Sequence, residues 1–79
     1  MAIYLTCGPR LAIYLDPDVD ETTRMVEPEG NPTLHEIITH LGVPEALFAY
    51  GVIGDRLVKL DYRPKPGDRI RLEVPVGGG

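Results

Sequence analysis

Few side chains in this sequence are equipped for chemistry. None of the 79 residues is a serine, so the commonest hydroxyl nucleophile is missing. Cys7 is the lone thiol, and a thiol attacks only where a base or positive field holds it as thiolate. It closes an apolar stretch, Ala2–Cys7, where a buried structural role fits the habit of cysteine better. A single cysteine also excludes an internal disulfide framework and any multi-cysteine zinc site. His35 and His40 lie five apart. On a helix that spacing sends them to different faces, whereas a paired zinc site needs a spacing of about four. No glycine-rich loop leads into a helix in the pattern that cradles phosphate. Nothing here predicts a self-contained catalyst, and no catalytic or metal-ligating residue is assigned.

The unusual feature is the ending, Gly77-Gly78-Gly79. Glycine loses more conformational entropy on ordering than any other residue. Three in a row therefore read as a flexible thread, and a frayed end is the plain interpretation. A functional one exists. Residues without a Cβ can enter a narrow tunnel in another protein. An α-carboxylate on Gly79, with an ordinary pKa of about 3.3–3.7, is ionised at neutral pH. Such a carboxylate can attack the α-phosphorus of ATP, and glycine offers the least hindered carbonyl for the next nucleophile. Catalytic residues and magnesium would then belong to the partner.

The elements that would carry this end can be read from pattern. Ala2–Cys7 is a strand stopped by Gly8-Pro9. Ala-Ile-Tyr-Leu occurs at 2–5 and again at 12–15. A hairpin across Gly8-Pro9-Arg10 is one reading; a short turn at 10–15, packing Leu11 and Leu15 on the core, is preferred. Asp16–Glu21 is an acidic turn that lacks the central glycine and terminal glutamate of a calcium loop. Thr22–Glu27 reads as an edge strand. Thr33 and Glu36 form a capping box, and Leu34, Ile37, Ile38 and Leu41 follow at helical spacing. Gly42 and Pro44 end a helix of about ten residues. Phe48–Ile53 and Leu57–Leu60 read as a third strand and a short fourth. Lys65-Pro66-Gly67-Asp68 has type II turn chemistry. Arg69–Val74 then alternates, with Ile70, Leu72 and Val74 on one face and Arg69, Arg71 and Glu73 on the other. One helix on a mixed four- to five-stranded sheet is an α+β arrangement, with the first and last strands central. Residues 1–74 form one domain and 75–79 a tail.

Composition agrees with a folded domain. Apolar residues are 43% and charged residues 25%, ordinary globular usage that argues against disorder. No apolar run exceeds five residues, far short of a membrane span. No signal peptide is visible, so a cytoplasmic location is expected. The net charge is −4. Residues 1–50 hold eight acidic side chains against Arg10 and Arg24; residues 51–79 hold six basic against four acidic. The basic surplus is slight and interleaved, which speaks against nucleic acid and leaves an oppositely charged protein partner.

The run Lys65-Pro66-Gly67-Asp68-Arg69-Ile70 through Glu73-Val74-Pro75-Val76-Gly77-Gly78-Gly79, with the helix start Pro32-Thr33-Leu34-His35-Glu36-Ile37-Ile38, resembles the ubiquitin-like sulfur carriers of the ThiS/MoaD family. The chain departs from the family at Gly54-Asp55, where Asn-Gly is common, and in carrying a third terminal glycine. The resemblance implies a β-grasp fold. It implies that a ubiquitin-activating-like adenylyltransferase, using ATP and magnesium, adenylates Gly79, with Gly77 and Gly78 entering its active site. The product would be a thiocarboxylate. Its sulfur would pass to thiazole synthase, the large subunit of molybdopterin synthase or a tRNA thiolase. The chain itself would bind no cofactor, nucleic acid or membrane. Val74, Val76, Arg69 and Arg71 are the expected partner-binding residues. A protein modifier forming isopeptide bonds shares the adenylation chemistry. Leu41-Gly42-Val43-Pro44-Glu45 and the acidic turn also resemble ubiquitin-like domains attached to PIN-type ribonucleases, which leaves a noncovalent adaptor as a third reading.

Overall fold

The computed structural model describes residues 1–44 and 46–75. It is a small α+β fold with a mixed five-stranded sheet and one main helix. The strands are β1 (Ile3–Thr6), β2 (Thr23–Val26), β3 (Tyr50–Ile53), β4 (Arg56–Val58) and β5 (Arg69–Glu73), in the order β2-β1-β5-β3-β4. The main helix, α1 (Leu34–His40), joins β2 to β3, and a 3-10 helix spans Pro9–Tyr14 between β1 and β2. β1 and β5 pair in parallel; the other three pairings are antiparallel. The first and last strands are thus interior, as their apolar content predicts. Bonds from Tyr4 N to Asp68 O (2.9 Å) and from Gly67 N to Ala2 O (2.7 Å) open the parallel ladder.

The helix start is satisfied donor by donor. The first amides of a helix lack partners within it. Here Thr33 Oγ1 accepts from Glu36 N (3.1 Å) and Glu36 Oε1 accepts from Thr33 N (2.9 Å). Leu34 N donates to Tyr62 O (2.7 Å) and His35 N to Leu60 O (2.8 Å). Two caps come from neighbouring sequence and two from a distant loop. At the other end Gly42 N bonds Thr39 O and Val43 N bonds Ile38 O, with Gly42 at φ +86°. That is a Schellman closure, which favours glycine at the left-handed position. It holds α1 to seven residues, shorter than the spacing predicts, and leaves Leu41 as the C-cap.

One face of the sheet and α1 enclose the core. Ile3 and Leu5 of β1, Ile70 and Leu72 of β5, Val58 of β4, and Leu34, Ile37 and Ile38 of α1 are buried there with Phe48. Each large apolar side chain contributes roughly 1.5–3 kcal/mol before entropy. The 10–15 segment is the 3-10 helix rather than a hairpin arm. Ala12 and Leu15 are buried and Leu11 packs against the cluster, while Pro9 at its first turn supplies a preset φ.

Every strand differs from expectation by a residue or two at one or both ends: β1 and β2 are each one residue shorter at both ends, β4 starts one residue earlier, and three further boundaries have a visible cause. β3 begins at Tyr50, because Phe48 turns into the core (2% exposed) and only the Ala49 amide reaches β5, at Glu73 O (2.8 Å). β4 ends at Val58, because the Leu60 carbonyl is drawn to α1. β5 ends at Glu73, and Val74 lies beyond it, exposed rather than aligned with Ile70 and Leu72.

The acidic turn has a structural task. Thr23 O accepts from Asp18 N and Val19 N (both 3.0 Å), and Asp18 Oδ1 accepts from Met25 N (2.9 Å). These bonds occupy outward-facing groups of β2 and shield an edge strand from further pairing. Arg24 binds the turn through Asp16 O (2.9 Å) and pairs with Asp18 Oδ2 at 3.7 Å.

Candidate interaction surface

The face of the sheet opposite α1 carries Arg69 and Arg71, two of the four sequence-predicted contact residues. Registered neighbours share a face. Tyr4 pairs with Arg69 and Thr6 with Arg71 across β1 and β5. Tyr50 pairs with Glu73 and Val52 with Arg71 across β3 and β5, and Leu57 stands opposite Val52 on β4. All of these side chains are exposed or half-buried, and Leu57 is 59% exposed. The result is a strip in which cations and large apolar groups alternate.

The cations are positioned, not loose. The Arg69 guanidinium lies 4.6 Å from the centre of the Tyr4 ring, a cation–π contact that orients the charge while leaving it exposed. Arg71 Nε is 3.3 Å from Glu73 Oε2, with the arginine side chain 56% exposed. An ion pair this open adds little stability, so Arg71 is free to exchange partners. Past the end of β5, Val74 lines a groove of about 530 Å³ with Gly8, Pro9, Arg10, Leu11 and Tyr14, none of which belongs to the strip. Val74 (42% exposed) and Tyr14 (44% exposed) supply apolar surface to that groove.

Arg69 and Arg71 are therefore brought to one surface with Tyr4 and Val52, whereas Val74 lies past β5 and lines the groove beside the 3-10 helix. Val76, Gly77, Gly78 and Gly79 lie outside the described residues. Tyr4, Tyr50, Val52 and Leu57 belong to the same surface, although sequence reasoning did not nominate them. Alternation in Ala2–Cys7 could have flagged Tyr4, since Ile3 and Leu5 must point the other way. Tyr50 and Leu57 depend on cross-strand register, which has no local signal.

The residues with chemical potential lie elsewhere. Cys7 is buried, and burial pushes its thiol pKa up, away from thiolate. His35 and His40 are exposed on α1. Among the described residues no three His, Cys, Asp or Glu side chains converge as a metal site. No helix among them is long and apolar enough to cross a membrane.

Comparison with known proteins supplies no relative: no family model, curated protein or solved structure matches the chain.

Proposed function

We propose that the chain is a β-grasp, ubiquitin-like sulfur carrier whose reacting group is the Gly79 carboxylate. The observation that carries the reading is the path of the last strand. β5 is the middle strand of the sheet, and the sequence continues from it through Val74-Pro75-Val76 into three glycines. The β-grasp assignment rests on a parallel β1–β5 centre flanked by antiparallel strands, with α1 across one face. A strand held by neighbours on both sides is a rigid base from which to offer a thread to a partner's active site.

The chemistry balances with a partner that supplies the catalyst. A Gly79 carboxylate oxygen attacks the α-phosphorus of ATP and pyrophosphate leaves. Sulfur at the sulfide level then attacks the acyl carbon, and AMP leaves with the original oxygen. The product is a thiocarboxylate ready for transfer to thiazole, dithiolene or tRNA acceptors. The strip formed by Arg69, Arg71, Tyr4, Val52 and Leu57, together with Val74 beyond the end of β5, is the docking surface for the activating enzyme.

Intact mass spectrometry of the protein isolated from its own cells tests this reading. A species ending at Gly79 and heavier by one oxygen-to-sulfur exchange is expected. Gly79 found only as an ordinary carboxylate, under conditions of active sulfur transfer, refutes the carrier. Gly79 linked to lysine would assign the chain as a modifier instead. Arg71→Glu should slow adenylation at low salt and leave it nearly unchanged at high salt, because steering is screened; equal rates at low salt would remove Arg71 from the docking surface.

A further inference from the structure

A second groove lies on the helix side of the fold. A trough of about 640 Å³ runs between the Val26–Pro32 connection and the flank of α1. Val26, Pro28, Pro32, Ile37 and Leu41 line it with apolar surface. Glu27, Glu29 and Glu36 supply its charge, and no lysine or arginine is among the lining residues; His40 is the remaining ionisable group. Glu36 is committed to capping α1 and feels the field of Arg63. Glu27 and Glu29 are exposed and form no ion pair with any described residue.

An apolar lining under unpaired carboxylates selects the occupant. Phosphates, nucleic acid and anionic lipid are repelled by it. An open trough beside a strand suits an extended segment better than a compact ligand. Strand addition to the edge of β2 is obstructed, since Asp18 and Val19 already bond Thr23 O and Met25 N. Recognition must therefore run through side chains. Pro28 and Pro32 stiffen the wall, which lowers the ordering cost of binding. We infer that this trough docks an extended peptide segment of a partner protein that sets aliphatic side chains on the half-buried Val26, Pro28 and Leu41 and lysine or arginine against Glu27 and Glu29. The inference uses neither the glycine tail nor the open sheet face, so it stands independently of the carrier reading.

The test is an NMR titration of the full chain with the synthetic peptide acetyl-Lys-Arg-Leu-Ile-Val-Arg-Lys-amide. The same peptide with glutamate at every basic position is the control. Saturable shifts of the Val26 and Leu41 methyl groups are expected with the basic peptide alone, weakening as salt is added. The double variant Glu27→Lys/Glu29→Lys should weaken binding about three- to tenfold, the yield of two exposed charge contacts. Its urea midpoint, measured beside the wild type, establishes that it folds. Equal binding of the acidic peptide, shifts centred on Tyr4 and Arg69, or no saturable shift at millimolar peptide would each overturn the inference. Unchanged affinity in a folded double variant would do the same.

Discussion

Gly51→Ala offers a sharp test of how the core is closed. Gly51 is buried in β3, opposite Leu72 of β5 and Val58 of β4. A Cβ there would sit 2.7 Å from Ile70 Cγ2, 3.2 Å from Leu34 Cδ2 and 3.3 Å from Val58 Cγ2. Carbon atoms prefer about 3.5–4.0 Å, so the nearest methyl must retreat by roughly 0.8 Å or more. The Leu34 methyl ends a side chain with some freedom. Ile70 has little: it is fully buried in the middle strand, and its β-branch holds χ1. Overpacking of this kind costs about 1–3 kcal/mol. Replacing a strand glycine returns about 0.5–1 kcal/mol of backbone entropy. The difference spans about 0–2.5 kcal/mol, and the 2.7 Å approach to a side chain with little freedom puts the net loss in the upper half of that range, about 1–2.5 kcal/mol out of a total near 4–12 kcal/mol for a chain of this length. Calorimetry should show Tm falling by roughly 5–15 °C, and urea unfolding should show a lower midpoint at unchanged slope. Gly8→Ala is the matched control. Gly8 has φ −63° and no atom within 4 Å of the added carbon, so it should be neutral or gain up to about 1 kcal/mol. A Gly51→Ala protein as stable as the wild type would refute the contact between β3, β5 and α1 as drawn.

Thr33→Ala removes the acceptor for Glu36 N and should cost about 1 kcal/mol, read from the urea midpoint. The Thr33 amide, and then its hydroxyl, hold the Glu36 carboxyl below the ordinary glutamate range. A lowered folded pKa gives stability that is complete above the unfolded pKa and lost as pH falls through the folded one. Glu36→Gln should therefore flatten the acid limb of the stability profile. Tyr62→Phe deletes the 2.6 Å bond to Asp68 Oδ2 and should cost about 1 kcal/mol. Burial, and then that bond, push the Tyr62 phenol up. Its contribution is full below about pH 10 and declines as pH rises through the folded value, an alkaline limb that the phenylalanine variant should lack. Cys7 should react slowly with a thiol reagent in the native protein and quickly in denaturing urea, because burial shields the thiol and raises its pKa. Rapid stoichiometric labelling of the native state would place it at the surface.

The candidate surface was only partly legible before the fold was known. Arg69 and Arg71 announce themselves through strict alternation with Ile70 and Leu72, a period-two signal confined to one strand. Tyr4 carries the same signal more faintly, because the apolar run around it also suits a strand buried on both faces. Val74 continues the alternation in sequence, yet it lies past the last ladder residue and is exposed. The trough beside α1 has no sequence signature at all. Glu27 and Glu29 fall in a turn, Ile37 on a helix and Leu41 at its C-cap, and only packing sets them across from one another.

Local chemistry was enough to determine the helix with its capping box and glycine stop, the Lys65–Asp68 turn, and the alternating last strand. Each is decided by groups within a few residues of one another. Tertiary structure alone decided which strands are neighbours, that Leu60 and Tyr62 finish the cap of α1, that Gly51 must lack a side chain, and that Tyr4 lies over Arg69. Those outcomes depend on contacts between residues far apart in the chain. Such contacts form because one compact arrangement buries Ile3, Leu5, Ile70 and Leu72 together while satisfying the backbone groups at the edges, a condition no single segment can express.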